Sequence, residues 1–224
     1  KLVNIVIHAL NGLLVYFLSL LVFRRLPGSI NRVHVYAFGV ALLWSLLPIN
    51  LTSVLYVIQR MVSLGATFAL MAMAFWFIGR AKIEQHQRFP YLWFLLFISS
   101  YVLAILTKET YILTGLVVIV LDWVLFTRSN RLEQLMMRLQ VSGLAIVLLS
   151  IVLLLVIKPE SVIGDFSQRP FGMVERLLTQ GRVLVLYIGL ILLPSNMRLG
   201  LYHDSFPLSH GLFEPATTAL SVVF

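Results

Sequence analysis

Three places in this chain combine side chains that could do chemistry. Arg60 stands at the end of a polar stretch that includes Asn50, Thr52, Ser53, Tyr56 and Gln59. A guanidinium there can grip phosphate oxygens through a bidentate fork, or it can simply snorkel to a membrane surface. Lys108 and Glu109 fill the middle of the turn Thr107-Lys108-Glu109-Thr110. They form either a local charge pair or a pair of charges facing a phosphate or a metal at the edge of a membrane cavity. The adjacent pair His203-Asp204 precedes Pro207; such a pair can bind metal, act as acid or base, or make a turn. There is no cysteine, which excludes disulfides, thiolate metal sites and cysteine nucleophiles. No HExxH, P-loop or dinucleotide fingerprint is present, and no divalent metal or other cofactor is firmly implied.

The elements that must carry these residues are hydrophobic. Apolar residues make up 60% of the 224 positions and charged residues 12%, with mean hydropathy +0.96. A soluble domain has about twice that charge and cannot hide so much apolar side chain. The pattern predicts an all-α integral membrane protein, a multi-span helical bundle in a lipid bilayer. Six spans are expected at 3–23, 35–47, 61–78, 91–106, 111–126 and 139–157, all in a single transmembrane domain. The run 183–193 is short enough to be re-entrant or interfacial, and 217–224 begins a further span. Pro48 should end the second span, because proline lacks an N–H and constrains the residue before it. The start at Lys1 inside an apolar run suggests an internal piece of a longer protein.

Charge gives the orientation. The net charge of +8 is concentrated in short connections: Arg24, Arg25 and Arg32, then Arg80, Lys82 and Arg88, then Arg128, Arg131 and Arg138. These mark 24–34, 79–90 and 127–138 as cytoplasmic loops. Lys1, Arg60 and Lys108 then face outward, as does the excursion 158–214. Without a basic stripe interleaved with aromatics, nucleic acid is not an expected partner. Within the excursion, Phe171, Val174, Leu177 and Leu178 recur at helical spacing opposite Glu175, Arg176 and Gln180, so 171–182 reads as an interfacial helix.

Three polar residues lie inside the spans. His8 and Asn11, three residues apart in the first, suit helix–helix packing. Asp122 in the fifth requires a partner, with Arg128 as a nearby candidate.

The run Val54-Leu55-Tyr56-Val57-Ile58-Gln59-Arg60-Met61-Val62-Ser63-Leu64, opening a helix that closes on Gly79-Arg80, resembles the start of the third span in bacterial multispanning glycosyltransferases. These are similar to protein O-mannosyltransferases of the transmembrane class with tetratricopeptide repeats. Leu106-Thr107-Lys108-Glu109 resembles that family's Leu-Ser-Lys-Glu turn. Tyr202-His203-Asp204, Phe206-Pro207 and Pro215-Ala216-Thr217-Thr218 resemble one of its outer loops. The resemblance implies a GT-C-like fold in a bacterial inner membrane with its active face periplasmic. It implies transfer of a sugar from a polyprenyl-phosphate carrier to a protein or glycan acceptor, with an oligomer or larger complex as a further option. Arg60, Lys108 and Arg182 would bind the donor phosphate. The catalytic residue implied by the family is an acid in the first outer loop, expected before Lys1; Glu109, His203 and Asp204 are the candidates within the chain. Leu47, Asn50 and Thr52 depart from the family at positions where relatives carry His, His and Glu. The competing readings are a transporter or flippase for a lipid-linked or polar solute, and a non-catalytic membrane subunit.

Overall fold

The computed structural model describes residues 1–26, 32–85, 87, 90–126, 131–157, 171–193 and 206–223. All regular structure among them is helical. The helices are α1 (Leu2–Phe23), α2 (Val33–Leu46), α3 (Leu51–Leu55), α4 (Arg60–Glu84), α5 (Pro90–Thr107), α6 (Leu113–Leu125), α7 (Arg131–Ile157), α8 (Met173–Leu192) and α9 (Thr217–Val223). Four helices are long and apolar enough to cross a membrane: α1, α4, α5 and the Glu133–Leu154 part of α7. A fifth crossing results if α2 and the bent continuation Pro48–Leu55 form one span. The protein is therefore a helical membrane protein by the length and apolarity of its helices. The chain divides into two compact units, Lys1–Arg128 and Ser129–Phe224.

In the first unit α4 is central, packed on α1 along one side and α5 along another, with α2 on the far side of α1. Small residues explain this position. Ser63, Gly65, Ala69, Ala72, Ala74 and Gly79 are all buried along α4, so neighbouring backbones approach it closely. The α2 helix stops where Pro48 lacks the N–H that would have bonded the Trp44 carbonyl four residues back. The side chain of Asn50 supplies a substitute, donating from Nδ2 to that carbonyl at 2.7 Å. The chain bends by 52° across this break.

Several expected boundaries move. The α4 helix runs on to Glu84, so Arg80 is a buried helical residue rather than part of a cytoplasmic loop. Likewise α7 begins at Arg131, and the polar stretch 131–138 read as loop is its first two turns. The expected span 111–126 consists of a 3-10 turn, Glu109–Ile112, followed by the 13 residues of α6. That helix rises only about 20 Å, less than the hydrocarbon thickness.

In the second unit, the expected interfacial helix 171–182 and the separate apolar run 183–193 are one helix, α8. The change from amphipathic to apolar at Val183 carries no breaker, so hydrogen bonding continues through it. The side-chain carboxylate of Glu175 caps its start, accepting from the Gly172 N–H at 2.8 Å. The α9 helix packs on α8.

Candidate functional site

The first unit gathers its polar groups at two ends, and the end carrying Arg60 is the candidate site. Three segments build it: the start of α1, the start of α4 and the α5–α6 turn. The side chain of Asn4, fully buried one turn into α1, reaches across to the loop before α4. Its Nδ2 donates to the carbonyls of Tyr56 at 2.8 Å and Val54 at 3.3 Å. Its Oδ1 accepts from Nε of Arg60 at 3.1 Å. An amide in an apolar helix is costly unless bonded, and here each bond fixes the loop that leads to Arg60. Below it Asn11 donates to the Ser63 carbonyl at 2.9 Å and accepts from the Thr67 hydroxyl at 2.7 Å. These two amides join α1 to α4 along a polar seam.

His8 does not share this seam. Its ring stacks on Trp44 with centroids 5.2 Å apart, and Nε2 lies 3.0 Å from the Ser45 carbonyl. The expected pair of His8 and Asn11 thus serves two different neighbours, α2 and α4.

Lys108 reaches the same end of the unit because α4 and α5 pack side by side and the turn after α5 folds over the start of α4. The Tyr111 hydroxyl donates to the Val62 carbonyl at 2.6 Å, and the Tyr101 hydroxyl to the Ile112 carbonyl at 2.8 Å. Gly65 makes room for this. A Cβ there would run into the Tyr111 ring and the Thr107 hydroxyl. The Lys108–Glu109 ion pair that the sequence offered as one reading is not formed: among the described residues, neither the Lys108 ammonium nor the exposed Glu109 carboxylate has an ionic or hydrogen-bonding side-chain partner. The terminal nitrogens of Arg60 likewise take no acceptor there. The site thus presents a guanidinium edge held by one neutral amide, together with an ammonium held by none, which is a donor set suited to phosphate oxygens.

The opposite end of the unit is closed. Asp122, 2% exposed, accepts from Nε of Arg80 at 2.7 Å and from the Trp76 indole at 2.9 Å. The partner of Asp122 is therefore Arg80, from α4; Arg128 lies outside the described residues. Arg25 pairs with Glu84 at 2.7 Å and sits 3.7 Å above the Phe126 ring.

In the second unit Arg182 is engaged locally. Its Nη1 donates to the Pro207 carbonyl at 2.8 Å and the Ser209 hydroxyl at 3.2 Å, and its guanidinium lies over Phe206. The segment 206–218 is bound to α8 through further contacts. The Ser209 N–H donates to the Thr179 hydroxyl at 3.0 Å, the Thr218 hydroxyl to that of Ser209 at 3.0 Å, and His210 Nδ1 lies 2.7 Å from Glu175. The hydrogen bond from His210 is the main reason the Glu175 carboxyl lies below its ordinary range, with the Gly172 N–H adding to it. His203 and Asp204 fall outside the described residues.

Sequence reasoning missed Asn4 and Tyr111. Asn4 had a usable signal, since it and Asn11 are seven residues apart on one face of an apolar helix. Tyr111 had none, because its bond to the Val62 carbonyl depends on how α5 returns along α4. Among the described residues, no three His, Asp or Glu side chains are grouped as a metal would need.

The chain matches no known family model, and no curated protein or solved structure shows significant similarity to it.

Proposed function

We propose that this chain forms the phosphate-binding part of a membrane glycosyltransferase that takes a sugar from a polyprenyl-phosphate donor at the outer face. One observation carries the reading. Arg60 and Lys108 stand at one end of the same helical unit with N–H groups unused by the described residues, while Arg80 and Arg25 at the other end are engaged by carboxylates. The family motifs quoted above, Val54 to Leu64 and Leu106 to Glu109, fall on these same segments.

The chemistry follows from charge. As the sugar–oxygen bond breaks, negative charge grows on the leaving phosphate. Donors already oriented toward it stabilise that charge without reorganising. Arg60 would supply the fork, with Asn4 keeping it in place; Lys108 would supply a point charge. Glu109, exposed beside Lys108, would orient the acceptor.

The test is sugar transfer by full-length protein in native membranes, from a polyprenyl-phosphate-linked donor. Arg60→Ala should cut transfer by about a hundredfold or more while leaving membrane insertion intact, and Arg60→Lys should restore a small part of it. Full transfer by the alanine variant would remove the proposal. Movement of donor across vesicles without any glycosyl product would indicate a flippase instead.

A further inference from the structure

The face of α1 turned away from α4 carries a groove that the glycosyltransferase reading does not use. Ala9, Gly12, Leu13, Phe38 and Leu42 line it, and its volume is about 590 Å³. Small residues give it depth: Gly12 lets Ser45 approach so closely that a Cβ would lie 2.6 Å from the Ser45 hydroxyl. Its walls offer little to a polar solute, because the Tyr16 hydroxyl and His34 Nδ1 already bond each other at 2.9 Å.

His34 marks the end of the groove that leads to the connection between α1 and α2. Arg24 caps α1 there and Arg32 caps α2, and both are exposed. Among the described residues neither guanidinium has an acidic partner, unlike Arg25 between them, which pairs with Glu84. An apolar slot at membrane depth, ending in two unpaired cations at one surface, matches one occupant in both shape and charge. We infer that this groove binds an anionic glycerophospholipid of the leaflet opposite Arg60, with an acyl chain along Ala9–Leu13 and its phosphate at Arg24 and Arg32. A zwitterionic lipid would fill the slot equally well, but its headgroup cation would cancel the attraction. The inference requires only a membrane-spanning α1–α2 pair and stands apart from the glycosyltransferase reading.

The test uses the full chain in phosphatidylcholine vesicles with trace spin-labelled phosphatidylglycerol or phosphatidylcholine, read by electron paramagnetic resonance. The wild type should immobilise the phosphatidylglycerol label in clear preference to phosphatidylcholine. In the double variant Arg24→Gln/Arg32→Gln that preference should fall by about fivefold per charge at low salt. Ala9→Trp, at an exposed position on the groove wall, should release the label from the groove while leaving thermal unfolding unchanged. Equal immobilisation of the two lipids by the wild type, or a preference that survives the arginine double variant, would overturn the assignment.

Discussion

The two ends of the Lys1–Arg128 unit use the same residue type in opposite ways. Arg80 is 1% exposed, bonded to Asp122, and lies with its guanidinium 5.0 Å from the Phe126 ring centroid. Arg60 is half-buried, and a single neutral amide holds its Nε. A buried guanidinium without a carboxylate would cost several kcal/mol, so the Arg80 end is committed to holding helices together. The Arg60 end leaves its charge facing outward, where an incoming anion can complete it. Within one unit, then, the degree to which a cation is already satisfied separates the structural role of Arg80 from the binding role proposed for Arg60.

The sharpest way to break this contrast is to remove Asp122. Asp122→Ala removes the carboxylate that binds the buried Arg80 and should destabilise the protein by about 3–5 kcal/mol, seen as a large drop in the detergent unfolding midpoint. If Arg80 were instead tolerant of that loss, the two ends would not differ in the way described. Arg60→Ala should cost less, about 1–3 kcal/mol of stability, from the buried Asn4 oxygen left unbonded. On the proposed function its loss of transfer should reach about a hundredfold or more, the size typical of a removed transition-state donor. Comparable stability losses at the two arginines would dissolve the distinction.

A smaller effect is expected at Gly65. Gly65→Leu forces the Tyr111 ring and Thr107 off α4 and should cost about 1–3 kcal/mol as overpacking. Because it displaces the turn bearing Lys108, on the proposed function it should also raise the KM for donor, whereas Gly39→Leu, with open space around its Cβ, should change neither. The smallest effect is a pH dependence in the second unit. The Glu175 carboxyl is lowered in the folded state, so its contribution is present above the ordinary carboxylate range and is lost as pH falls through and below that range. Amide protection factors at Gly172, Ser209 and His210, which correct for the intrinsic exchange rate, should fall under acid, and Glu175→Gln should flatten that response.

Much of the helical layout is legible in the sequence because run length is a direct measure of the bilayer. The expected 3–23 and 91–106 lie within a residue or two of α1 and α5. Pro48 gave the break after α2 through its missing N–H. What failed was the reading of charge at helix ends. Arg80 looked like a loop residue because a cation after an apolar run usually marks the interface. It is interior, and there Asp122, 42 residues later, meets it from another helix. Such pairings are set by packing between elements, and no local pattern announces them. The same holds for Arg182, whose acceptors come from the segment 206–209. Asn4 and Asn11 were different, since their shared face could be read from spacing alone.

The α4 helix carries Arg60 in its first turn and Arg80 near its last, 20 positions apart on one uninterrupted rod. At about 1.5 Å per residue that separation is about 30 Å, equal to the hydrocarbon depth of an average bilayer. With Arg80 held by Asp122 at the other mark, the rod would serve the proposed function as a gauge, setting the height at which the Arg60 guanidinium could meet a donor phosphate. On that reading, lipids of unusual thickness would put a donor phosphate out of register with Arg60.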